Sequence, residues 1–417
     1  MVTMQPSRRF SPKLKQVLKL FAGCAAVIAA ATTCYPVSLP DTPQLHVEPF
    51  QPANRAASEA MRHAPAIDHI VVVTIDGVRW QEVFGGVDST LTNPMKLRRD
   101  QALSPAALLP NIHRIAATHG VLLGKDDSQV RVSSPSTVSL PGYTELFSGR
   151  TPHCGNNDCP QTAESTLLDD WHRASKEATM MVFSSWERIP RAVARDPSHL
   201  ILSAGRSHVQ GLAGLASDAA FQQVLTKGAA SNPAPGVDDY RPDGYTAELG
   251  LLALEALKPS FLFLSLGDTD EHAHHGDYEA YLSALQQADR VVGRLDAWLQ
   301  TQQQIGKRTL LVVTTDHGRA SSFQHHGSRP EAARIWTLWS GDDVKLRGYP
   351  AAGPSRLADI ASTLRRVVDL PPDPHVEAGH HMAALFEQPA RPIEQRGDWR
   401  LVANRSSYAP DVWPVAL

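Results

Sequence analysis

Three apolar runs in this chain end on side chains of types that can bind metal ions. FLFLSLG leads into Asp268-Thr269-Asp270-Glu271-His272-Ala273-His274-His275-Gly276, TLLVVTT leads into Asp316-His317-Gly318, and HIVVVTI leads into Asp76-Gly77. Taken singly, an acid in such a place is as readily a cap or turn residue. One construction repeated at three strand ends points instead to a metal or catalytic site, because open α/β sheets bind ligands beyond the carboxyl ends of their strands. Mixed carboxylate and imidazole donors suit zinc, with manganese or iron also compatible. A nucleophile for such a site is offered by Ser139 in SSPSTVSLPGYTELFSG. Pro141 fits the first turn of a helix and Gly149 fits the position just past its end, which puts Ser139 at the helix amino terminus. Backbone N–H groups there favour a negative oxygen. A serine in that place is ordinarily an N-cap, and it becomes a nucleophile only beside a metal or a base.

Other polar residues have weaker claims. Cys154 and Cys159 in TPHCGNNDCP are the only cysteines outside the first 34 residues. In an exported chain a pair so closely spaced reads as a disulfide closing a small loop, with a zinc pair as the alternative. Asn157 inside that loop could hydrogen-bond a substrate oxygen, although Asn-rich turns also arise for local reasons. Arg188 could meet an anionic substrate or lie solvated at the surface.

The elements that must position these residues are legible from periodicity. The runs 69–76, 259–267 and 309–315 are apolar without alternation, as strands covered on both faces are. Between them lie amphipathic stretches: 106–118, 166–177, and 277–299 with Leu282, Leu285, Ala288, Val292, Leu295 and Leu299 on one stripe. A strand near 179–184, another at 335–340 and a helix at 355–368 continue the alternation. The fold class is therefore α/β, with a largely parallel central sheet.

At 417 residues and 42% hydrophobic, the chain can build one large domain, which we place at 66–417. The formal charge of −3 and the absence of a basic block past the leader argue against a nucleic-acid partner. Arg8, Arg9, Lys13, Lys15 and Lys19 precede an apolar stretch, Leu20 to Ala31, too short to span a bilayer. Residues 1–34 thus read as a signal peptide or, through Cys24, a lipoprotein leader attached to a membrane, and 35–65 as a Pro/Ala-rich tether. The expected location is the periplasm or envelope of a bacterium.

The order TIDG, a Ser ahead of an apolar-Pro pair, D-x-x-x-H, DHG and HG resembles the alkaline phosphatase superfamily, and most closely its nucleotide pyrophosphatase/phosphodiesterase branch. The resemblance runs from about residue 69 to 390 and implies a three-layer α/β/α sandwich with two divalent metal ions. It places one ion on Asp268, His272 and His326, the other on Asp76, Asp316 and His317, and Ser139 between them. Two departures stand out. The branch usually has Thr where Ser139 stands and Gly where Glu271 stands. His274, His275 and His325 offer rival ligands, and Thr137 is an alternative nucleophile. The activity implied is hydrolysis of a small anionic phosphate ester through a phosphoseryl intermediate, diester slightly ahead of monoester. A phospho-group transferase, or a metal- or phosphate-binding protein without catalysis, are the other readings.

Overall fold

The computed structural model describes residues 67–92, 103–375 and 378–386. The expected leader, the expected tether and the Pro-rich tail lie outside the described residues. The run at His69–Ile75 forms β1, buried along its whole length. It pairs in parallel with Phe261–Leu266 (β7) on one side and Thr309–Thr314 (β8) on the other. Gly120–Leu123 (β2), Met180–Ser184 (β4), Ile201–Ala204 (β5), His208–Gln210 (β6) and Thr337–Gly341 (β10) complete an eight-stranded sheet in the order β2-β10-β8-β1-β7-β4-β5-β6. β10 and β6 run antiparallel to their neighbours, so the centre of the sheet is parallel. Val130–Arg131 (β3), Arg334–Ile335 (β9) and Ser355–Arg356 (β11) form a separate three-stranded ribbon.

Helices cover both faces. Pro110–Thr118 (α1), Asp243–Leu257 (α4) and Tyr278–Gln304 (α6) bury Ile112, Leu249, Leu254, Leu285 and Val292 against Val71, Val73 and Ile75 of β1. Ser139–Ser148 (α2), Leu167–Ala174 (α3) and Ala358–Val367 (α7) bury Leu140, Phe147, Trp171 and Ile360 against the opposite side, on Ile70 and Val72. This is the three-layer α/β/α sandwich. Strands with apolar contacts on both faces need no polar alternation, which explains the continuous Val, Ile and Leu of β1, β7 and β8. Among the described residues no helix is long and apolar enough to cross a membrane.

Two expected elements are divided. The helix expected over 106–118 is Pro105–Leu108 followed by α1, because Pro110 supplies no N–H to continue the first helix and suits the first turn of the second. The strand expected over 335–340 is split at Trp336 between β9, which joins the ribbon, and β10, which joins the main sheet. A disulfide joins Cys154 to Cys159 with Cα atoms 5.8 Å apart.

Candidate metal centre

Because β8, β1 and β7 are neighbours in one parallel sheet, the residues after their carboxyl ends converge. Asp76 follows β1, Asp316 and His317 follow β8, and Asp268–His274 (α5) follows β7. α2 is brought onto this edge by Gly142, where a Cβ would lie only 2.5 Å from the backbone oxygen of Asp316. A close approach of helix to strand end is thus built into the PGY sequence. Its first residue, Ser139, is 6% exposed, with Oγ 3.4 Å from Asp76 Oδ1 and 3.2 Å from His317 Nε2.

Each converging side chain has one polar atom tied to the protein and another left toward the centre. Asp76 Oδ2 accepts from the Tyr143 hydroxyl at 3.0 Å, so Oδ1 faces Ser139. Asp316 Oδ1 accepts from the backbone N–H of Gly77 at 3.2 Å, while Oδ2 is buried without a hydrogen-bond partner. His317 Nδ1 lies 2.9 Å from the carbonyl of Gly318 and His326 Nδ1 lies 2.7 Å from that of Thr137. Since a carbonyl only accepts, both rings carry their proton on Nδ1 and present a bare Nε2. Outer partners of this kind orient metal-binding histidines and carboxylates. The ligating atoms of Asp76, Asp316 and His317 all lie within 4.8 Å of one another, as do those of Asp270, His317 and His326. The orphaned Asp316 oxygen and this donor set fit divalent cations.

The electrostatics agree. Burial, reinforced by Asp316 and Asp270, pushes the Asp76 carboxyl well above the usual range, and burial with Asp270 pushes Asp316 up to about 7. Burial would raise Asp270 too, but Arg319 and His274 outweigh it and hold that carboxyl well below its ordinary value. Desolvation lowers His317 to about 4, and desolvation together with His317 lowers His326 to about 3. With His317 and His326 resisting protonation, and Arg319 and His274 engaged by Asp270, the buried carboxylates of Asp76 and Asp316 are short of positive charge. A pair of divalent cations would supply it.

The structure gathers Asp76, Ser139, Asp316, His317 and His326, and it corrects two expectations. Asp268 and His272 do not reach the centre. Asp268 accepts from the Tyr240 hydroxyl at 2.7 Å and the Asp243 N–H at 3.2 Å, and His272 faces Asp243 and Asp277. Asp270 and His274 take their place. Asp270 Oδ2 is 3.0 Å from His274 Nε2, which is 3.0 Å from His326 Nε2, and the rings of His326 and His317 stack at 4.1 Å. Both pairs have i,i+4 spacing, so each lies on one helix face, but a two-residue shift turns a side chain by about 200°. The phase of α5 on β7 therefore decides which pair enters. A signal was present in the sequence: the small residue that the resemblance places before the histidine is matched by Ala273 before His274, not by Glu271 before His272. The rivals His275 and His325 face away, His275 Nδ1 contacting the carbonyl of Glu271 at 2.7 Å and His325 Nδ1 contacting Ser322 Oγ at 3.3 Å. Thr137 is buried 3% exposed beside Gly327, to which its backbone pairs.

A cavity of about 210 Å³ opens over Ser139 and Asp76, lined also by Asn157, Trp186, Arg188, Asp239 and Glu271. Asn157 Oδ1 accepts from the N–H of Leu140 at 2.9 Å, which caps α2 and turns the amide NH2 away from that bond. Arg188 is ion-paired to Asp158 at 2.7 Å and Asp239 at 3.1 Å. Arg319 was invisible to sequence reasoning. Its side chain is fully buried, it pairs with Asp270, and its Nη2 donates to the carbonyl of Gln324 at 2.9 Å, bracing the loop that carries His326.

Comparison with known proteins gives the same picture at coarse grain. Residues 221–364 match a family model described as Metalloenzyme superfamily. A 2,3-bisphosphoglycerate-independent phosphoglycerate mutase of Nostoc punctiforme is 27% identical over 158 residues, covering 35% of this chain and 29% of that protein. A protein of the same name from Synechococcus sp. is 30% identical over 155 residues, covering 33% of this chain and 27% of its own. The chain thus spans under a third of the length of these relatives. Among solved structures, wild-type alkaline phosphatase PafA superposes with a TM-score of 0.50 at 11% identity, covering 78% of this chain and 100% of that one. A protein in the alkaline phosphatase superfamily from Vibrio parahaemolyticus superposes with a TM-score of 0.50 at 14% identity, covering 79% and 72%.

Proposed function

We propose that this chain is a member of the alkaline phosphatase superfamily and an exported phosphoric ester hydrolase that works through a phosphoseryl intermediate on Ser139 and slightly prefers diesters to monoesters. The observation that carries the reading is the position of Ser139 Oγ, 3.4 Å from Asp76 and 3.2 Å from His317, on the floor of a cavity edged by both ligand clusters. Asp76, Asp316 and His317 would hold one divalent cation, and Asp270, His274 and His326 the other, zinc being the best match to the donors. Two such ions held by these residues would supply charge to lower the pKa of the serine, to hold a phosphoryl oxygen and to stabilise the leaving oxygen of an in-line displacement.

Ser139 Oγ attacks phosphorus, the bond to the leaving alcohol breaks, and water later displaces the serine from the opposite side. Asn157, which lines the cavity and whose Oδ1 is taken by Leu140, would donate its amide NH2 to a phosphoryl oxygen. Arg188 is the only arginine or lysine lining the cavity among the described residues, and its charge is already shared between Asp158 and Asp239. A dianionic monoester would find little uncommitted positive charge beyond the metal ions, which favours a monoanionic diester. Export rests on the basic and apolar leader, and a disulfide is at home in an oxidising compartment.

Transfer to an alcohol acceptor is the second reading, favoured by the relatives named phosphoglycerate mutase. The test is turnover of bis-p-nitrophenyl phosphate and p-nitrophenyl phosphate by the zinc-reconstituted chain, with a chelator control and with glycerol as an added acceptor. Chelator-sensitive release that is faster from the diester supports the proposal. Faster release from the monoester reverses the preference, and a glycerol phosphate product moves the assignment to a transferase.

A further inference from the structure

Tyr143 is fully buried on α2 one turn beyond Ser139, and its ring packs edge-on against Phe263 at 6.2 Å. A phenylalanine would fill that space without bringing a hydroxyl into the core, where an unsatisfied one is destabilising. Here the hydroxyl meets three elements. It lies 3.0 Å from Asp76 Oδ2, 3.1 Å from Ser265 Oγ on β7 and 3.3 Å from Thr74 Oγ1 on β1. A carboxylate can only accept, so the single phenolic proton goes to Asp76, and the lone pairs take the protons of Ser265 and Thr74. The direction of the network is thereby set.

We propose that Tyr143 is a positioning residue for Asp76: by holding Oδ2 it presents Oδ1 alone to Ser139 and to the cation shared with Asp316 and His317. This rests on the reading that those residues hold a divalent cation. Because Tyr143 and Ser139 ride on the same helix, one rigid element sets both the nucleophile and the ligand facing it. Without the phenol, Oδ2 would lose its donor and Asp76 could rotate, releasing Oδ1 from its place 3.4 Å from Ser139 Oγ. Outer partners of metal ligands are typically worth about 10- to 100-fold in affinity or activity.

The experiment measures zinc affinity of the full chain by chelator competition, together with kcat and KM on bis-p-nitrophenyl phosphate. Tyr143→Phe is expected to weaken one of two zinc ions and to lower kcat, each by about 10- to 100-fold, with KM held within about twofold. In an Asp76→Asn background the same change should add nothing, since its target is gone. Zinc affinity and kcat within twofold of the native chain would overturn the proposal, as would an undiminished effect in the Asp76→Asn background. If Tyr143→Phe does not fold, Ser265→Ala removes the bond that aims the phenol, and a several-fold weaker zinc site is expected; no change there overturns the proposal. A native chain that binds no zinc overturns the metal reading itself, an outcome distinct from the others.

Discussion

Ser139 makes no contact that a simple cap would require. The N–H of Leu140, the second residue of α2, is satisfied by Asn157, while the serine hydroxyl turns instead to Asp76 and His317. Ser139→Ala should therefore lower turnover by about a thousandfold or more while metal content, read by plasma emission, stays at the native level. Activity surviving that change would sink the nucleophile assignment. The two candidate pairs on α5 separate as cleanly. Asp270→Asn removes a carboxylate that faces His274 and Arg319, and should cost one metal ion and about a hundredfold or more in kcat. Asp268→Asn disturbs only the hydrogen bonds with Tyr240 and Asp243, and its effect should appear in thermal stability with both metals retained. The reverse result would restore the other register of the helix.

At the scale of elements, the site depends on how closely α2 can lie on the end of β8. Gly142 faces the Asp316 carbonyl where a Cβ would sit at 2.5 Å, so Gly142→Ala must push the helix off the strand. The expected cost is about 1–3 kcal/mol of stability, with a loss of turnover larger than that destabilisation explains because Ser139 moves with the helix. Denaturant titration alongside kcat measures both; an unperturbed kcat would mean that α2 tolerates the shift. The loop closed by Cys154 and Cys159 does comparable work at the amino terminus of α2, since it carries the Asn157 cap. Gly77 is the second tight point. Its φ is +63°, and a Cβ there would lie 2.2 Å from Asp270 Oδ1, so the turn after β1 is open only to glycine.

For the molecule as a whole, the centre stores an electrostatic conflict that a cation resolves. Without metal, burial and the Asp270 carboxylate push Asp316 up from 3.8 to about 7 in the folded chain, so between those values the folded chain binds the extra proton. Stability then falls as pH rises through that window, because the folded state must give up a proton that the unfolded state has already lost. In chelator, the melting temperature of the native chain should drop between about pH 4 and pH 7 more steeply than that of Asp316→Asn. Equal slopes would remove Asp316 as the source. Added zinc should reverse the trend, raising the melting temperature most at the higher pH, since a ligand bound only by the folded state stabilises it by mass action.

Much of this was open to reading along the chain. A doubly covered parallel strand must be apolar throughout, so β1, β7 and β8 announce themselves, and an acid that ends each run is conspicuous. Proline and glycine act locally on the backbone, so the start and stop of α2 around Pro141 and Gly149 were equally visible, and with them the place of Ser139. The order of these pieces was enough for a fold and a class of chemistry. What only the tertiary structure decided was which atoms meet. Asp268 with His272 and Asp270 with His274 are identical as spacings, and the choice between them is the rotation of one short helix, set by Tyr240 and Asp243 from a distant stretch of chain. Arg319, Tyr143 and the double pairing of Arg188 were hidden for the same reason: each acts through partners far away in sequence, and such contacts exist only once the sheet has brought β8, β1 and β7 side by side.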